Sequence, residues 1–190
     1  MQNIYANYYW QNDKVRLRAM RPEDENHNNS HAKEDFDSEA WAMAHEEMTL
    51  PIAKREVKAT DSEAVQNEKA PAFSIENLEG NIVGHIHFNY INERHGTFSI
   101  GLMLWRDYRK KGYGKAAMQI LLEYAFNERR LNKFTADCIE CNVASISLLK
   151  SLGCQQEGNI REEIFFNGSF HSRLVFGLTA TEYNGSYERN

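Results

Sequence analysis

The feature that most constrains this chain is a change of hydrophobic period at residues 105–115. Before it, apolar residues alternate. Residues 73–78, 82–90 and 97–105 read as β-strands, separated by turns at Glu79-Gly80-Asn81 and at 93–96. After it, Ala117, Ile120, Leu121, Tyr124 and Ala125 recur at i, i+3, i+4, i+7 and i+8, one face of an amphipathic helix over 115–129. Another strand follows over 133–140. An antiparallel meander that feeds a helix and then a further strand implies a right-handed crossover to a parallel strand.

The remaining elements follow from caps and turns. Residues 15–18 read as a short strand entering a turn at Arg21-Pro22-Glu23-Asp24. Helices are expected over 38–48, capped by Ser38 and ended by Pro51, and over 61–68, before Pro71. Asn142 caps a helix that runs to Leu152 and stops at Gly153. Strands over 160–166 and 170–178 meet at Asn167-Gly168, a strong hairpin signal. In the strand over 82–90, Gly84, Ile86, Phe88 and Tyr90 share one face, and His85, His87 and Asn89 the other. The fold class is α/β (α+β), a mixed sheet of about seven strands with helices on both faces. At 190 residues this is a single domain, 1–190, with its core over 15–183.

Composition narrows the partners. With 22 Lys+Arg against 27 Asp+Glu the net charge is −5, which argues against general nucleic-acid or anionic-membrane binding. No apolar run approaches the roughly 20 residues of a membrane helix. The first ten residues lack the basic start and cleavage site of a signal peptide. Three cysteines form no paired framework, so a reduced, cytoplasmic setting is expected. The acidic excess is concentrated. Residues 13–63 hold 13 acids and 8 bases, a difference of −5 that equals the whole net charge, together with His27, His31 and His45. Two readings stand: a solvated surface, or a rim that attracts a cationic substrate.

The stretch from Trp105 to Lys115 carries the chemistry. It lies between a strand end and a helix start, where unpaired N–H groups and the helix dipole favour an anion. Gly112 and Gly114 permit close backbone approach to a phosphate, and Arg109, Lys110, Lys111 and Lys115 add charge. A nucleotide-triphosphatase loop is excluded, because Arg109 and Ala116 stand where it needs Gly and Ser or Thr. Gly112-Tyr113-Gly114-Lys115-Ala116-Ala117 matches the dinucleotide pattern, but it does not directly follow a strand, and a meander precedes it instead of a βαβαβ half.

These residues resemble the GNAT superfamily of acyl-CoA N-acyltransferases. Arg109-Lys110-Lys111-Gly112-Tyr113-Gly114 matches its pyrophosphate signature, Gln/Arg-x-x-Gly-x-Gly/Ala. Ile100-Gly101-Leu102-Met103-Leu104 looks like its fourth strand, and Asn142-Val143-Ala144-Ser145-Ile146 with Leu152-Gly153 like its Asn-x-x-Ser-Ile … Leu-Gly-Phe segment. Residues 157–171 resemble the tail of the ribosomal-protein and spermidine acetyltransferase branch. The resemblance implies acetyl-CoA as co-substrate. Leu102, Met103 and Leu104 would offer backbone groups to the pantetheine arm, Arg109, Lys110, Lys111, Gly112, Tyr113, Gly114 and Lys115 would hold the pyrophosphate, and Asn142 would touch the pantetheine or adenine half.

The match also departs from the family. The Tyr that protonates the leaving thiolate in many members is Leu149 here; the ribosomal-protein branch also lacks it and is thought to use the Ser of Asn-x-x-Ser, so the resemblance implies Ser145 as the general acid, the alternative being a helix-capping role. The usual Phe after Leu-Gly is Cys154, and His171 is followed by Ser172 where relatives often have Asp. His85 and His87 are the candidates for the base, against a purely polar surface role. Cys138-Ile139-Glu140-Cys141 is a lone CxxC without the second pair that zinc needs, so no metal is expected. The implied reaction is acetyl transfer to a primary amine on a small molecule or peptide. The oligomeric state is left open, with a homodimer as one option. A GNAT-fold module that binds CoA or amines without turnover, and more distantly a dinucleotide-dependent oxidoreductase, are the alternatives.

Overall fold

A computed structural model describes residues 9–21, Asp24 and 71–187. The helices expected over 38–48 and 61–68, most of the acidic segment, and His27, His31 and His45 lie outside the described residues. Seven strands form one sheet: β1 (Val15–Ala19), β2 (Ala72–Asn77), β3 (Ile82–Asn92), β4 (Thr97–Leu104), β5 (Lys133–Ile139), β6 (Gln155–Phe166) and β7 (Ser169–Thr179). Their spatial order is β1-β2-β3-β4-β5-β7-β6. Every neighbouring pair is antiparallel except β4 and β5, which run parallel. The parallel step is made by helix α1 (Tyr113–Glu123), prolonged by a π-helical turn over Tyr124–Glu128. Two further helices follow, α2 (Val143–Ser151) and α3 (Ala180–Tyr187).

Alternation decides which sheet face is buried. Leu17, Ile75, Ile86 and Phe88 point to one face and are fully or almost fully buried with Ala117, Leu121 and Ala125 of the helix. Aromatic rings run through this layer: Trp10 lies 4.8 Å from Tyr124, Phe98 lies 5.3 Å from Phe126, and Phe126 lies 5.0 Å from Tyr183. The structure corrects one expectation about β3. A bulge between Phe88 and Tyr90 shifts the register, so Tyr90 leaves the buried face and stays 44% exposed. Two boundaries also move. The helix starts at Tyr113 instead of residue 115, because Gly112 already occupies the N-cap. Strand β6 starts at Gln155 instead of residue 160, an edge strand whose first residues are polar or glycine and show no alternation. Asn167 (φ 48°) and Gly168 (φ 82°) make the expected tight hairpin between β6 and β7.

The opposite face of β1 and β2 carries ions. Arg18 grips Asp24 with two 2.8 Å hydrogen bonds, and Ser74 Oγ and the Arg21 N–H each donate to Asp24 Oδ2 at 2.8 Å. Glu76 accepts from Arg16 at 2.6 Å and from Arg18 at 2.9 Å. Burial alone would raise the Asp24 carboxyl, but Arg18, the Arg21 N–H and Ser74 outweigh it and hold its pKa at about 2. A depressed carboxylate stabilises the fold above its ordinary value of 3.8, and that stabilisation is lost as pH falls through about 2. Asp24→Asn should therefore cost about 2 kcal/mol at neutral pH in urea unfolding, since Arg18 is left with Glu76 alone, a carboxylate it shares with Arg16. The variant should also lose stability less steeply than the parent as pH falls from 3.8 to about 2.

Candidate active site

The sheet forks at β4 and β5. Their parallel pairing is limited to Thr97 with Lys133 and Phe98 with Phe134. Thr135 Oγ1 closes the fork by donating to the Phe98 carbonyl at 3.3 Å, with the Tyr90 hydroxyl 2.6 Å from the same oxygen. Beyond it, the outer edge of β4 from Ser99 to Leu104 has no strand partner among the described residues, while the inner edge stays paired to β3.

Three contacts show which backbone groups face the open edge. The Phe98 carbonyl points toward β5, the Trp105 N–H bonds to Val83 of β3 at 3.0 Å, and the Leu104 carbonyl accepts from Arg109 Nε at 3.0 Å. In an antiparallel ladder, successive residues turn their N–H and C=O to opposite sides. Leu102 and Leu104 therefore present backbone groups to the open edge, whereas Met103 turns its backbone toward β3. Packing agrees, since a Cβ built on Gly84 would meet the Met103 carbonyl at 2.1 Å. Of the three residues expected to offer backbone groups to a ligand, Met103 thus belongs to the ladder.

The loop after β4 makes one 3₁₀ turn, Arg106–Tyr108, and reaches α1 through Lys110 (φ 60°) and Gly112 (φ 85°). Gly112 caps the helix in the left-handed conformation, which glycine adopts without a Cβ penalty. No side chain caps this end, and the first amide bonded within the helix is that of Ala116, to the Gly112 carbonyl at 3.1 Å. The N–H groups of Tyr113, Gly114 and Lys115 are left to point out of the helix start. Lys110, Lys111 and Lys115 are exposed beside them, and Lys111 Nζ lies 5.2 Å from the centre of the Tyr108 ring. The missing side chain of Gly114 also serves packing. A Cβ there would lie 3.3 Å from the side chains of both Leu102 and Leu104, so it lets α1 pack against β4.

Across the fork, Asn142 Oδ1 accepts from the Ser145 N–H at 3.0 Å and caps α2. That leaves the Asn142 amide nitrogen for other contacts and relieves Ser145 of the capping role. Ser145 is half-buried and three residues before Leu148, whose side chain reaches within 3.9 Å of a Gly114 Cβ, so its helix face looks toward α1. Leu149 is buried in the core. His171 Nε2 lies 2.8 Å from Ser169 Oγ and its Nδ1 lies 3.7 Å from Glu140, away from this helix face. Burial pushes the Cys138 thiol up to about 11 and that of Cys154 to about 12, so both stay protonated. No metal-binding cluster is present among the described residues.

On the β3 face opposite the core, His87 lies over β4 at Gly101. A Cβ at Gly101 would meet the His87 ring at 2.6 Å and Asn89 Oδ1 at 2.7 Å. Only glycine leaves that ring its place, one residue from the open edge at Leu102. His85 stacks on His87 with ring centres 6.0 Å apart, and its Nδ1 is buried without a hydrogen-bond partner among the described residues. Burial, with help from His87, pushes His85 down to about 4, so it is neutral at physiological pH.

The antiparallel meander before α1 excludes the doubly wound dinucleotide fold. An open strand edge beside an uncapped, lysine-rich helix start suits a long anionic acyl carrier. A family model described as acetyltransferase (GNAT) domain matches residues 14–155. The chain belongs to the GNAT acetyltransferase family. A SPbeta prophage-derived uncharacterized N-acetyltransferase of Bacillus subtilis, YokL, is 27% identical over 175 residues, 92% of this chain and 95% of that protein. The spermidine N(1)-acetyltransferase of Vibrio cholerae is 22% identical over 111 residues, 58% of this chain and 64% of that protein. The crystal structure of spermidine N-acetyltransferase from Vibrio cholerae in complex with CoA and spermine shares the fold, with a TM-score of 0.77 at 19% identity, covering 91% of this chain and 99% of that chain. GNAT enzymes use acetyl-CoA and move its acetyl group to an amine, and the residues found here fit that co-substrate. None of the described helices is long and apolar enough to cross a membrane.

The sequence reading passed over Asn12 and Lys14, which the fold brings beside the loop. Asn12 Nδ2 donates to the Ala116 carbonyl at 2.9 Å across 104 residues of sequence, a contact no local pattern announces. If the Gly112 conformation shapes the phosphate cradle, Gly112→Val should weaken CoA binding at least about tenfold by isothermal titration, because a β-branched residue is strained at φ 85°. A folded variant with parental affinity would contradict the cradle.

Proposed function

We propose that this GNAT enzyme acetylates a primary amine of net positive charge, a polyamine, another small amine or a basic peptide N-terminus, by direct attack within a ternary complex. The observation that carries the reading is the His87 ring over Gly101, one residue from the open edge of β4. Acetyl-CoA supplies an activated thioester. Leu102 and Leu104 amides offer hydrogen bonds along the pantetheine arm, and the Tyr113, Gly114 and Lys115 amides with the exposed lysines hold the pyrophosphate. Arg109, tied to the Leu104 carbonyl, keeps the loop against the strand end. The Asn142 amide nitrogen reaches the pantetheine or adenine half.

The proton steps fall to two side chains. Neutral His87 takes the proton that the ammonium must lose before its nitrogen can attack. His85, held neutral at about 4, is too weak a base for that role and supports the His87 ring from below. Ser145 gives its hydroxyl proton to the departing sulfur and takes up the proton that the nitrogen sheds as the tetrahedral intermediate collapses to the amide. The acidic excess over 13–63 supports a cationic acceptor, since a net negative charge raises the local concentration of a cationic amine. The spermidine acetyltransferases among the relatives support it too. The protonated, buried thiols of Cys138 and Cys154 suit a reduced cytoplasm. Exposed Phe165 and Phe170 on the β6–β7 hairpin are the contact we assign to a homodimer.

Free-thiol release against a panel of amines tests this reading. Spermidine and basic peptides should turn over faster than neutral or anionic amines, and added salt should raise the KM of the cationic ones. A preferred anionic acceptor would overturn it. Ser145→Ala should lower kcat about 10²-fold with CoA affinity kept. The parental rate should rise with pH because the acceptor ammonium must lose a proton before attack, and His87→Gln should change that profile as well as slow turnover. An unchanged pH profile would remove His87 from the mechanism.

A further inference from the structure

Lys14 lies just before β1, outside the signature loop, yet its side chain runs alongside Gly112. A Cβ at Gly112 would lie 3.6 Å from the Lys14 Cδ and Cε atoms and 3.8 Å from its Nζ. The position is built. Asn12 Oδ1 accepts from the N–H groups of Lys14 and Val15, both at 3.1 Å, while Asn12 Nδ2 holds the first turn of α1 through the Ala116 carbonyl at 2.9 Å. One side chain thus fixes the Lys14 backbone and the helix start relative to each other. The ammonium is exposed and makes no ion pair among the described residues. Asp13 and Glu79 line the same depression, but Glu79 accepts instead from the amides of Asn77 and Asn81.

An unpaired ammonium held at the flank of a helix start with three uncapped amides is placed to bind an anion lodged there. The geometry points to Lys14 as a diphosphate-binding residue of the CoA site, supplied by the N-terminal segment to complete the cradle beside Lys111 and Tyr113. Its flexible four-carbon stem lets it follow the ligand, as a point charge rather than a fixed fork. This inference rests on the assignment of the Gly112 loop to the pyrophosphate.

The experiment compares the parent, Lys14→Gln, Lys14→Arg and Gly112→Val by isothermal titration with CoA, dephospho-CoA and pantetheine, with melting temperatures as a folding control. Lys14→Gln should weaken CoA and dephospho-CoA equally, about three- to tenfold, and leave pantetheine unchanged. It should also reduce the salt dependence of CoA binding, and Lys14→Arg should restore most of the affinity. Parental affinity in Lys14→Gln would overturn the proposal. So would a loss confined to CoA, which would move the contact to the 3′-phosphate, or an equal loss with pantetheine, which would show a structural effect. If Gly112→Val also binds CoA as the parent does, it is the loop assignment that fails.

Discussion

The structure depends on where β4 and β5 stop pairing. A strand in the middle of a sheet normally satisfies both rows of its backbone groups, and an unpaired row inside a protein is costly unless something else fills it. Here the pairing ends at Phe98, with Thr135 bonded to its carbonyl as the last rung. Everything the enzyme needs is arranged around the edge that results. Leu102 and Leu104 face it with N–H and C=O groups, α1 begins beside it, and α2 begins across from it. We propose that a co-substrate arm adding as a strand would complete the ladder that β5 abandons.

Charge is sorted around that fork. The loop and helix start gather exposed lysines, and Lys14 joins them through Asn12 from the far end of the described chain. The acids at β1 and β2 are spent on arginines. Glu76 of β2, with Asp24 just after β1, neutralises Arg16 and Arg18, so these two arginines do not draw an anionic ligand away from the loop. The two histidines of β3 divide similarly by environment. His85 is buried and neutral, and His87 lies over a glycine at the cleft.

Much of this was legible in the sequence where local rules decide. The period switch at 105–115 located the meander and the helix, Asn167-Gly168 located the hairpin, and the Gly112 loop located the helix start. Other features escaped for physical reasons. Residues 155–159 form an edge strand without an apolar face, so periodicity was silent. The bulge after Phe88 reversed the facing of Tyr90, and alternation alone cannot foresee an inserted residue. Which of Leu102, Met103 and Leu104 faces the ligand depends on ladder register, a property of two strands together. Asn12, Lys14 and Asp24 act across long sequence separations, and only the fold brings them to their partners.

Amide hydrogen exchange along β4, with and without CoA, tests the central claim most directly. In the free enzyme the Met103 amide, bonded to β3, should exchange slowly, while those of Leu102 and Leu104 exchange fast at the open edge. Saturating CoA should slow Leu102 and Leu104 together with Tyr113, Gly114 and Lys115, and leave Met103 little changed. If CoA binds with the Leu102 and Leu104 amides still exchanging at their free rates, the open edge is not where the co-substrate lies.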